Sequence, residues 1–130
     1  MGYRSNVVAL IYPDHEYEAD YRATYAQLKL LMGTTFREVS DEFGEYMKWL
    51  DDEGVLKFDL PGVKWYPNYS DVQMFERMLE AFDRDSEDGL PGYCTEFVRV
   101  GEEADDNDEK CTGENIHYYL QLRRTIDCNV

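Results

Sequence analysis

The sequence predicts an α+β fold: a mostly antiparallel four-stranded sheet with about three helices packed on one face. Three observations predict it. Residues 5–12 are apolar at nearly every position, the pattern of a central strand shielded on both faces. Three stretches between residues 16 and 82 space their apolar side chains three and four apart, the helical period. Residues 55–60, 95–100 and 116–126 alternate, which is the period of a strand.

Pro13 ends the first strand, and Asp14 is placed to cap a helix whose first turn holds Glu16 and Glu18, where the helix dipole favours negative charge. That first helix covers residues 16–32, on a stripe of Tyr17, Tyr21, Tyr25, Leu28 and Met32, with Gly33 as terminator. Thr35 and Glu38 have capping-box form and open a second helix with Phe36, Val39, Phe43, Met47 and Leu50 on its apolar face. Gly44 weakens this helix, a start at Ser40 fits equally, and Asp51-Asp52-Glu53-Gly54 ends it. A strand follows over residues 55–60; Pro61-Gly62 breaks or turns it, and residues 63–66 continue extended. Ser70 and Gln73 form a second capping box, flanked by Tyr69 and Met74 as a hydrophobic staple, ahead of a third helix on Val72, Phe75, Leu79 and Phe82. Residues 83–92 read as a polar loop, 95–100 as a strand, 101–115 as a long acidic loop and 116–126 as the last strand. The final two strands most simply form a hairpin, which sets Cys94 opposite Cys128 with Cys111 near the tip. The whole chain, residues 1–130, reads as one domain.

Charge is the strongest functional signal. Twenty-eight acidic residues against thirteen basic ones leave a formal charge of −15, which repels itself and costs stability. Yet 43% of residues are hydrophobic and 15% aromatic, too apolar a chain for disorder. The opening carries only Arg4 before a short apolar run, without a signal-peptide cleavage site, so an intracellular protein is expected. Nucleic-acid backbones and anionic membranes would both repel it, so no direct nucleic-acid and no membrane partner is expected. An odd set of three cysteines, seventeen residues apart each time, suits reduced thiols better than bridges or a zinc site.

The carboxylates cluster. Residues 101–115 hold seven of them against one lysine, and residues 83–89 and 14–20 hold four each. Carboxylates one helical turn apart stand about 5–6 Å from each other, close to the spacing of successive phosphates. A folded acidic surface can thus imitate a nucleic acid and be steered onto a cationic cleft. For any single cluster a solvated face or loop is the better explanation; it is the total of −15 that points to imitation, with adaptation to high salt as a second plain explanation. No cluster has an EF-hand's glycine and glutamate at the required positions, and no metal or other cofactor is expected. Trp65, Tyr66 and Tyr69 form an aromatic group that serves either as core edge or as an interface anchor. His15 and His117 have no nucleophile at a telling spacing, and no glycine-rich phosphate loop exists, so no catalytic residue is named.

The opening Met1-Gly2-Tyr3-Arg4-Ser5-Asn6-Val7 resembles that of a group of small, uncharacterised bacteriophage and prophage proteins. Val63-Lys64-Trp65-Tyr66, Tyr69, Asp71-Val72 and Phe97-Val98-Arg99-Val100-Gly101-Glu102-Glu103 are similar as well, while residues 34–54 have no counterpart. The resemblance implies a phage accessory protein made in the host bacterial cytoplasm, and carries over no activity and no catalytic residue.

The leading expectation is a non-enzymatic inhibitor whose acidic surface occupies a basic, nucleic-acid-binding site on a host protein, such as a CRISPR effector, a restriction system or a DNA-processing enzyme. The residues expected to bind the partner are Glu16, Asp20, Asp83, Asp85, Glu87, Asp88, Glu102, Glu103, Asp105, Asp106, Asp108 and Glu109. The first alternative is an interaction protein, a homodimer included, that associates through Trp65, Tyr66 and Tyr69. The second is a metal-dependent enzyme with a carboxylate site.

Overall fold

The structure is a computed structural model that describes residues 3–14, 21–82, 90, 92–103, 105–111, 120–122 and 126–128. Its elements are β1 (Ser5–Pro13), α1 (Tyr21–Gly33), α2 (Arg37–Phe43), a 3₁₀ turn (Gly44–Tyr46), β2 (Met47–Leu50), β3 (Val55–Val63), α3 (Ser70–Ala81), β4 (Tyr93–Gly101), β5 (Asn107–Cys111), β6 (Leu120–Leu122) and β7 (Ile126–Cys128). The class is α+β, built on a five-stranded antiparallel sheet in the order β2-β3-β1-β4-β5; β6 and β7 pair separately.

Central β1 explains its unbroken apolar run. Val7, Ala9 and Ile11 face the core formed with the helices, and Val8, Leu10 and Tyr12 face a second apolar cluster on the other side. The three helices bury Tyr25, Leu28 and Met32 from α1, Val39 and Phe43 from α2, and Val72, Phe75 and Met78 from α3 in the first core. Phe75 is its hub, edge-on to Phe43, Phe58 and Trp65 at centroid distances of 5.2, 5.0 and 5.3 Å. Ile126 and Cys128 of β7 pack on the opposite face of the sheet.

Five expectations change, one being that the expected last strand over residues 116–126 contains Leu120–Leu122, which pairs back on Ile126–Cys128 as a separate strand. The second helix stops at Phe43, and Met47–Leu50 pairs with β3 as an edge strand, which brings the main sheet to five strands. Phe43, Met47 and Leu50 fit a helical stripe, but Met47 and Trp49 also fit the strand period, and the β3 ladder satisfies their backbone after Gly44. Gly54, at φ 69°, closes the hairpin with its N–H donating to the Leu50 carbonyl at 2.8 Å. Pro61-Gly62 neither ends nor turns β3. It forms a bulge: the register shifts by one between Ser5↔Val63 and Val7↔Leu60, Gly62 takes φ 60°, and its N–H donates to Asn6 Oδ1 at 2.8 Å.

The other two changes involve the acidic stretch and a cap. Asn107–Cys111 pairs with β4 as a strand instead of lying in a loop, so β4 makes its hairpin with β5 and not with the last strand. Cys94 therefore has Tyr12 as its ladder neighbour rather than Cys128, although both cysteines pack, without a disulfide, on the same cluster. Ser70 is the first residue of α3 rather than its cap; Tyr69 holds the cap position without a side-chain cap bond, and the Gln73 amide donates to the Pro67 carbonyl at 3.1 Å. Residues 15–20, which carry the start of the expected first helix, and residues 112–119 lie outside the described residues, as does His117.

Candidate functional site

β4 and β5 position the acidic turn. Both strands are long enough to hold the residues between them at the sheet end where β1 starts, since Gly101 is the ladder partner of Ser5. Glu102, Glu103 and Asp105 are exposed there, and Asp108 and Glu109 are exposed on β5. Arg99, whose side chain is only 12% exposed, crosses beneath the turn. Its Nη2 donates to Asp106 Oδ1 at 2.6 Å and its Nη1 to Asp106 Oδ2 at 3.3 Å, a bidentate pair. Its Nε donates to Asp108 Oδ2 at 2.8 Å and Nη1 also reaches Ser5 Oγ at 3.1 Å. The Tyr3 hydroxyl bonds the Asp106 carboxylate and accepts the Glu103 N–H at 3.0 Å. The Arg4 N–H donates to Glu102 Oε1 at 3.0 Å, and the Arg4 guanidinium donates to the Gly62 carbonyl at 2.7 Å. The turn is thus tied to β1 and to the β3 bulge.

These bonds set the electrostatics. Arg99, and after it the Tyr3 hydroxyl, pulls the Asp106 carboxyl from 3.8 down to about 2. In return the Asp106 carboxylate raises the Tyr3 hydroxyl and, as the largest cause, the Arg99 guanidinium. The sign for stability follows from a depressed folded-state value. Asp106 stabilises fully above pH 3.8, and its contribution disappears as pH falls through about 2. Chemical denaturation of Asp106→Asn is expected to lack this part of the acid-side loss; an unchanged slope over that window would show that the pair contributes nothing to folding.

Six of the twelve expected partner-binding residues are described. Glu102, Glu103, Asp105, Asp106, Asp108 and Glu109 form one group, but Asp106 and Asp108 are held by Arg99. Glu16, Asp20, Asp83, Asp85, Glu87 and Asp88 lie outside the described residues.

Of the aromatic group, Trp65 is a core residue, 8% exposed, with Phe43, Phe75 and Phe97 around its indole. That takes it out of any aromatic contact surface. Tyr66 is half-buried; its hydroxyl accepts the Tyr3 N–H at 2.6 Å and its ring meets exposed Tyr69 edge-on at 4.9 Å.

A second acidic group was not singled out from the sequence. Glu38 and Glu42 on α2 and Asp71 on α3 line a hollow of about 460 Å³ with Met74 and Arg77. It continues past Phe36 and Val39 at one end, and past Glu45, Lys64 and Arg4 at the other. The four-residue spacing of Glu38 and Glu42 was the available signal. Among the described residues, no group of three His, Cys, Asp or Glu side chains is placed to hold a metal ion, and no helix is long and apolar enough to cross a membrane. Comparison with models of protein families, with curated proteins and with solved structures found no match for this chain.

Proposed function

We propose that this protein is a non-enzymatic binding protein whose acidic surface occupies a basic, nucleic-acid-binding site on a host protein. The observation that carries the reading is the placement of exposed carboxylates at one end of the sheet. Glu102, Glu103 and Asp105 stand on the β4–β5 turn, and Glu42 and Glu45 line a hollow with Arg4, whose backbone N–H donates to Glu102. A formal charge of −15 adds a long-range field that speeds encounter with a cation-rich cleft. The resemblance of the opening residues to phage proteins supports a bacterial host and a role in blocking a host defence or DNA-processing protein, a CRISPR effector being one such target.

Capture of host proteins on the immobilised chain tests this. The partner is expected to bind at low salt, to be displaced by excess duplex DNA or RNA, and to be released near 1 M salt, where the Debye length is about 3 Å. A partner that survives both treatments, and that Tyr69→Ala releases, would replace this reading with association through the tyrosine pair.

A further inference from the structure

We propose that the groove between α2 and α3 is the seat for a cationic amphipathic helix of the partner. The inference rests on the function proposed above and locates its principal contact. Three features of the groove lead to it.

The first is its floor. Half-buried Phe36 and Met74 line the inner part above the core residues Val39 and Met78, and Met74 offers an unbranched, adaptable side chain of the kind that accepts a packed helix face. The second is its rim. Glu38 and Glu42 stand one turn apart along α2, with Asp71 facing them from α3. The third is that, among the described residues, the two α2 glutamates are not paired with a cation. Asp41, on the neighbouring face of α2, has Arg37 at 3.9 Å, and Asp106 and Asp108 have Arg99. Among the described residues, Glu38 and Glu42 have no such cation within 4.0 Å, and Arg77, which shares their hollow, pairs with neither.

The acidic turn and the groove therefore differ in kind. The turn has charge, largely organised by Arg99, over a polar surface. The groove has uncommitted charge beside an apolar floor. Lysine and arginine are built for such a place, because their aliphatic stems cover apolar surface while their heads reach carboxylates. Two cationic side chains one turn apart on a helix match the Glu38–Glu42 repeat. Arg77 rejects an acidic helix and helps set the register of a basic one.

The test uses the full chain, labelled with nitrogen-15, and a synthetic peptide of about three helical turns. The peptide carries two arginines one turn apart beside a leucine face; a scrambled peptide of identical composition is the control. Amide shifts are expected to cluster at residues 36–42 and 70–78, with the amphipathic peptide binding about tenfold tighter than the scramble. E38K/E42K is expected to weaken it about tenfold or more, and E102K/E103K/D105K less than about threefold. Both acidic sets are exposed, and the isosteric E38Q/E42Q carries the same test should the reversal unfold the chain.

Met74→Glu separates a groove from a mere field. It adds negative charge, so a purely electrostatic contact would tighten; a seated helix would weaken. Equal binding of the two peptides, shifts centred on the turn, or tighter binding by Met74→Glu would each overturn the groove. The partner captured from the host then tells the two readings apart. If E38K/E42K keeps it while E102K/E103K/D105K loses it, the acidic reading stands and the groove falls; if both sets keep it, the acidic reading itself fails.

Discussion

Replacing Trp65 by alanine is expected to lower the unfolding free energy by about 3–5 kcal/mol, the largest single-residue effect of those considered for this protein. The indole is 8% exposed and lies between three helix-side or sheet-side rings: Phe75 at 5.3 Å, edge-on, and Phe43 and Phe97 each at 6.2 Å. Removing it leaves a void that these rings cannot fill without leaving their own contacts, because Phe75 is also held edge-on by Phe58. Tyr69→Ala, at a residue 38% exposed, is expected to cost no more than about 1 kcal/mol. Urea denaturation of the two variants checks both figures. A Trp65 variant as stable as the Tyr69 variant would return the indole to the surface and revive an aromatic interface.

Arg99→Leu is expected to cost about 2 kcal/mol, the range of hydrogen bonds to a charged group with a discount for partners open to water. The discount is needed because the Asp106 and Asp108 side chains remain 35% and 53% exposed. The loss exceeds that of an ordinary surface pair for a geometric reason. One guanidinium holds Asp106 by two bonds, Asp108 by one and Ser5 by another, and its removal leaves neighbouring carboxylates to repel each other. A double-mutant cycle with Asp108→Asn measures the coupling: additive effects would show that Arg99 acts through packing alone. Arg99→Leu should also loosen the turn, read as faster amide exchange at residues 101–106, since the Gly101 N–H donates to the Asp106 carbonyl at 2.7 Å.

Several elements were legible from residue order because each has one dominant local signal. β1 has no helical spacing to compete with its apolar run, and α3 has Val72 and Phe75, with Phe82 at its C-cap, at helical spacing, all buried. Residues 47–50 had two competing signals. Met47 and Leu50 continue a helical stripe, Met47 and Trp49 alternate, and the choice fell to whichever backbone partner was in reach, which was β3. Asn107–Cys111 had no apolar alternation at all, since its first four residues are exposed. Its strand exists because β4 offers a free ladder and Arg99 neutralises Asp108 across the pair.

The acidic character, the α+β class and the absence of a recognisable catalytic motif belong to composition and local period, which are properties of short windows of chain. Which carboxylates answer to which cations belongs to tertiary structure. Arg99 sits seven and nine residues from its two acids and pairs with both only because β4 and β5 fold into a hairpin. Glu42 and Asp71 share a hollow only because α2 and α3 pack side by side on the sheet. Coulomb energy depends on distance in space, and residue order sets that distance only within a turn or a hairpin.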